Sequence, residues 1–162
     1  MTLETELRLL CGKREIVVRL LGRAHTAADI VVHLPKVNIV ITGDLVVWPV
    51  PLFGTTSFPI DYIATLGALL MLRPATMVPG HGPVMRDTAY IEKMLAVLRS
   101  IDQQVRAAVA RGVSREQVRK GINLSSHREA FACSSPLLGL LFDSYVAGPG
   151  VARAIMQISE KR

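Results

Sequence analysis

Cysteine, aromatic residues and charge are all scarce in this chain: two cysteines, 5% aromatic and 20% charged residues among 162. Cys11 and Cys133 are too few and too far apart for a disulfide framework or a zinc knuckle, and they fit unpaired thiols in a reducing compartment. The formal charge of +6 mildly favours anionic partners. With so few aromatics, none interleaved with the basic residues, a nucleic-acid partner is not expected; a solvated helical face accounts for the cations from Arg99 to Lys120. No apolar stretch is long enough to span a bilayer, Ile63 to Leu72 included, so no membrane partner is expected. The beginning, M-T-L-E-T-E-L-R, lacks a basic leader followed by an apolar segment, which points to a cytoplasmic protein.

What is abundant is apolar surface. Hydrophobic residues make up 50% of the chain, with 12 glycines and 9 prolines, a composition that folds around a core in one α+β domain. Residues 15–21, 29–34 and 37–42 are rich in β-branched side chains and predict three strands, an antiparallel or mixed meander joined by turns at Gly22 to Thr26 and at Pro35-Lys36. Trp48 to Pro59 carries prolines, a glycine and two phenylalanines, and reads as an ordered loop. A helix over 62–72, capped by Asp61 or Ser57, ends before Pro74. A short strand at 75–79 leads to His81, and Asp87 opens a long helix to about Ala110. Ser114 with Gln117 forms a capping box for the next helix. Two further helical patterns, Pro136 to Tyr145 and Val151 to Ser159, flank Gly148-Pro149-Gly150. The division expected is a β-lobe over 1–86 and a helical packing region and tail over 87–162 of the same domain.

Three residues combine ligand chemistry with an unusual setting: His25 in G-R-A-H-T, Asp44 in I-T-G-D-L and His81 in V-P-G-H-G-P. Each follows a short apolar run and stands near glycine, as ligands do at the ends of buried strands. Imidazole nitrogen and carboxylate oxygen suit zinc, iron or manganese. The spacing makes sense only if the fold gathers them; singly, each histidine also reads as a hydrogen-bonded surface residue, and Gly-Asp as a turn. His33 lies inside a strand and reads as structural, and His127 follows a helix-capping serine. Trp48, Phe53 and Phe58 are candidate substrate-pocket residues on loop composition, with covering the core as the alternative.

In this order, the G-x-x-H-T turn, the strand pair ending in G-D, the aromatic and proline loop, the helix and P-G-H-G resemble the C-terminal half of the metallo-β-lactamase superfamily, over residues 15–87. The resemblance implies part of a four-layer αββα sandwich, one β-sheet lobe with outer helices, plus a C-terminal helical extension. It implies that His25 ligates a first metal, that Asp44 is the bridging and catalytic carboxylate, that His81 ligates a second metal, and that Thr26 supports the His25 loop. Zinc is the implied ion, with iron or manganese as alternatives, and a metal-bound hydroxide would attack an ester, thioester, lactone, amide or phosphoester. The superfamily's H-x-H-x-D-H run is nowhere in the chain. The expectation is therefore a truncated hydrolase with an incomplete site. The sheet face bearing Val18, Leu20, Ile30, Val32 and Ile39 or Ile41 would be left open, to be covered in a homodimer or by a partner chain supplying the other lobe. A non-catalytic dimeric module is the alternative.

Overall fold

The computed structural model describes residues 4–160, so the outermost ends of the two expected regions lie outside the described residues. One five-stranded sheet runs in sequence order, with strands β1 (Glu6–Cys11), β2 (Arg14–Gly22), β3 (Asp29–Leu34), β4 (Ile39–Val47) and β5 (Thr76–His81). The first four are antiparallel, and β5 lies parallel to β4. A parallel neighbour needs a crossover. Helix α1 (Pro59–Met71) supplies it.

The hairpin β1–β2 was not anticipated: its two-residue loop, Gly12-Lys13, places Gly12 at φ 62, the left-handed geometry such tight turns require. The third expected strand begins two residues late, at Ile39, because Pro35–Val37 forms a 3-10 turn closed by Asn38 at φ 52. Helix α1 is capped by neither Asp61 nor Ser57. Its N-cap is Phe58, Pro59 occupies the first turn where a missing N–H costs nothing, Asp61 lies inside that turn, and the Ser57 hydroxyl instead donates to the Gly54 carbonyl.

Helix α2 (Ala89–Ala110) starts two residues after Asp87, whose carboxylate accepts from the Ala89 N–H. Its buried side chains Ile91, Met94, Leu95, Leu98, Ile101 and Val105 recur with helical spacing. Helix α3 (Arg115–Gly121) carries the expected Ser114–Gln117 capping box. Helix α4 (Ser125–Ala132), whose extent the sequence does not give beyond the capping serine before His127, holds that histidine; Leu124 is its N-cap, so Ser125 is not the capping residue. In the tail, α5 (Pro136–Phe142) passes through a π-helical turn, Asp143–Ala147, into α6 (Gly148–Glu160). Gly148-Pro149-Gly150 therefore opens a helix rather than separating two. No described helix is long and apolar enough to cross a membrane.

The two faces of the sheet differ sharply. On one, Val17 is buried, and Val31, Val40 and Met77 are buried with Leu66 and Leu69 of α1 and the apolar stripe of α2 in a single cluster. On the other, Leu7, Val18, Val32, Ile41 and Val78 stand in direct register across all five strands. Leu9, Ile16, Leu20, Ile30, Leu34 and Ile39 extend this apolar row on the same face, by strict alternation along each strand. Leu9, Ile30 and Ile41 are 40–49% exposed.

Candidate metal centre

Parallel pairing of β4 with β5 brings two of the three candidate ligands together. Gly43, at φ 54, turns the chain between Thr42 and Asp44, and the register of the two strands shifts there. Asp44 Oδ1 and His81 Nε2 lie 3.5 Å apart, both side chains well exposed. That is long for a hydrogen bond. It matches the edge of a tetrahedron around a zinc ion with ordinary bond lengths, about 3.4 Å. The pair therefore fits a divalent metal in chemistry and in spacing.

His25 is held separately, on the turn between β2 and β3. Its Nδ1 is 3.0 Å from the Leu52 carbonyl, which can only accept, so Nδ1 is the donor, and in the neutral ring it is Nε2 that holds the lone pair. A ligating histidine is ordinarily fixed in this way. The turn is anchored by Asp29, whose carboxylate accepts from the Thr26 N–H and hydroxyl, and by the Phe58 N–H donating to the Ala24 carbonyl. Thr26 does support the loop. Among the described residues, however, no three His, Cys, Asp or Glu side chains stand close enough together to hold a metal, so His25 does not join Asp44 and His81 in one ligand set.

Buried Tyr62 backs the site. Its hydroxyl donates to the Leu45 carbonyl at 3.0 Å and lies 3.4 Å from that of Asp44; burial raises the phenol's pKa well above its usual value and keeps it a donor. Trp48 is 45% exposed beside His81, its N–H donating to the His81 carbonyl, and a side chain on Gly82 would collide with it. Phe53 is not a pocket residue: it is fully buried, edge-on to Tyr62 at 5.3 Å between ring centroids. Phe58 is half-buried, with the guanidinium groups of Arg23 and Arg153 4.7 and 5.2 Å from its centroid. Arg153 and Gln157 reach this loop from α6 and Tyr62 reaches Asp44 from α1, contacts for which the local sequence carries no signal.

No protein-family model and no curated protein sequence matches the chain. Solved structures do. A metallo-β-lactamase from Pontibacter korlensis superposes on 60% of this chain and 47% of its own, at 24% identity and TM-score 0.54. The metallo-β-lactamase IND-7 covers 60% of this chain and 46% of its own, at 26% identity and TM-score 0.52. The sec-alkylsulfatase Pisa1 from Pseudomonas sp. covers 96% of this chain and 26% of its own, at 11% identity and TM-score 0.67. The chain thus spans about half the length of the two metallo-β-lactamases it matches and about a quarter of the alkylsulfatase. With its one mixed five-stranded sheet and packed helices, this α+β chain has part of the metallo-β-lactamase fold.

Proposed function

We propose that this chain is one lobe of a metal-dependent hydrolase, in which Asp44 and His81, with His25 on its own separate turn, supply part of a metal centre that a second lobe completes. The 3.5 Å separation of Asp44 Oδ1 and His81 Nε2 carries this reading. Zinc suits the nitrogen and oxygen donors best, with iron or manganese as alternatives. A metal held there supplies Lewis acidity and a water that ionises near neutral pH. Asp44 is the catalytic carboxylate of this reading, and His25, fixed through Nδ1, turns Nε2 outward as the nitrogen left to ligate. Exposed Trp48 offers a flat wall beside His81 for the apolar part of an ester, thioester, lactone, amide or phosphoester. The site in the isolated chain is incomplete and its independent activity low.

The second lobe is a second copy of the chain. Apart from Arg14 at its rim, the open sheet face carries no charged side chain, so its centre meets its own copy without like-charge repulsion, as a two-fold interface requires. Five strands make it about 24 Å wide and roughly 400 Å² in projection, the size of the largest apolar patch of a monomer, a patch that commonly serves as an interaction site. Free, exposed Cys11 and Cys133 suit a reducing, cytoplasmic setting.

The absence of a three-ligand group among the described residues favours a second reading, a non-catalytic dimeric module. Elemental analysis of untagged protein purified without chelator separates the two. Zinc, iron or manganese at about one ion per chain, lost in Asp44→Asn and His81→Ala, supports the metal centre. A well-folded protein that holds no metal and takes up none overturns it in favour of the module.

A further inference from the structure

The tail of the chain reaches back to the turn that carries His25. Gln157 of α6 is 4% exposed, and both ends of its amide are engaged: Oε1 accepts from the Ile60 N–H at 2.9 Å, and Nε2 donates to Asp61 Oδ2 at 3.2 Å. The Ile60 N–H is one of the free donors of the first turn of α1, which has no side-chain cap of its own. Asp61 in turn pairs with Arg23, two residues before His25.

One turn earlier on α6, Arg153 Nε donates to the Ser57 carbonyl at 2.8 Å. Its guanidinium lies on one aromatic contact of Phe58 while that of Arg23 makes another. In the π-helical turn, the Tyr145 carbonyl accepts from the Phe53 N–H at 3.0 Å. The loop held at these points is the one whose Leu52 carbonyl fixes Nδ1 of His25 and whose Thr56 hydroxyl donates to the His25 carbonyl.

We propose that Arg153 and Gln157 are positioning residues for His25: they clamp the loop of residues 52–60 so that the Leu52 carbonyl holds the imidazole with Nδ1 protonated and Nε2 free to ligate. Two routes run from α6 to the same ring. One passes from Gln157 through Asp61 and Arg23, the other from Arg153 through Ser57 and the loop to Leu52. Neither residue touches a metal or a substrate. That the ring serves as a ligand rests on the proposed function; that the tail sets its tautomer does not.

The test uses the whole chain as Gln157→Leu, and as Arg153→Gln should the first variant fail to fold. Lys120→Gln is the control, because it removes an exposed ion pair with Glu116 within α3, away from both routes and from the π-helical turn. Imidazole 15N NMR of the metal-free protein reads the tautomer. Nδ1–H is expected for His25 in the wild type and the control, with a shift toward Nε2–H in Gln157→Leu and Arg153→Gln while the remaining amide spectrum stays dispersed. Folded variants that keep Nδ1–H overturn the proposal. Zinc titration is the second readout, with about a tenfold loss of affinity expected in the variants. Equal affinity in wild type and variants also overturns it. A wild type that binds no zinc counts instead against the metal reading, and the tautomer then decides on the clamp.

Discussion

Gly80 packs so closely on Asp44 that a Cβ at position 80 would overlap the Asp44 carboxylate and fall 2.9 Å from the Asp44 backbone nitrogen. The Gly43 carbonyl carbon, at 2.7 Å, blocks the same space. Because the obstacle is backbone as well as side chain, it cannot swing aside. Gly80→Ala should therefore cost about 1–3 kcal/mol in urea denaturation and displace Asp44, abolishing metal uptake. Gly67, in the middle of α1 with open space around it, provides the contrast. Gly67→Ala should stabilise the protein by about 0.5–1 kcal/mol and leave metal uptake unchanged.

Tyr62 separates site geometry from fold stability. Tyr62→Phe keeps the ring against Phe53 and removes only the hydroxyl that bonds the Leu45 carbonyl and approaches that of Asp44. The stability loss should be about 0.5–1.5 kcal/mol, the size of one hydrogen bond. Zinc affinity should fall as well, because the peptide carrying Asp44 loses its tether. Isothermal titration of the folded variant reads the second effect, and wild-type affinity would show that Tyr62 supports the core alone.

Ile30 and Ile41 test how the open face is covered. They stand on β3 and β4, exposed by 49% and 40%, at the end and in the middle of the apolar row. A carboxylate at either position has room in a monomer, whereas in a dimer it is buried against its own copy without a partner. Sedimentation of the wild type should give a dimer at micromolar concentration, and Ile30→Glu and Ile41→Glu should give monomers with unchanged helical circular dichroism. A wild-type monomer would show that the face is covered by something other than this chain.

How far the sequence discloses this structure depends on the range of the contacts involved. Strands β2, β3 and β5 and helices α1 to α3 are legible because their apolar periods and capping residues are local. The α1 cap is misread because Ser57 and Asp61 have the right chemistry, but a local turn takes the Ser57 hydroxyl back to Gly54 and a tertiary contact takes Asp61 to Gln157. The extent of helix α4 is missed because its sequence, Ser125–Ala132, is polar on average and buries only Phe131 and Ala132. At the site, glycine-flanked Asp44 and His81 are legible, and their adjacency follows from parallel pairing of β4 with β5. Phe53 is misassigned because loop composition does not tell a pocket wall from a core plug. Gln157 is invisible from sequence, since its partners lie 96 and 97 residues away.

His33 is the buried group whose titration the fold should report. It lies on the helix-covered face between Val17 and Val40, 9% exposed, and neither ring nitrogen completes a hydrogen bond of good geometry, the Asn38 side chain approaching without making one. Burial first, then the Arg19 guanidinium, holds its pKa below the ordinary value, against weaker opposing effects from Asn38, Glu15 and Glu6. The unfolded chain therefore binds a proton at higher pH than the folded one does. Stability from this group is fully present above about pH 6.5 and is lost as pH falls from there through the folded-state pKa. His127, lowered by burial, adds a slope of the same sign. His33→Leu should flatten the fall in urea midpoint between pH 7 and 5, leaving the part due to His127. At pH 7.5 it should raise stability by about 1–3 kcal/mol, since the unsatisfied nitrogens are gone. A midpoint curve parallel to the wild type's would mean that His33 takes up its proton at the same pH in the folded chain as in the unfolded one and that the acid sensitivity lies elsewhere.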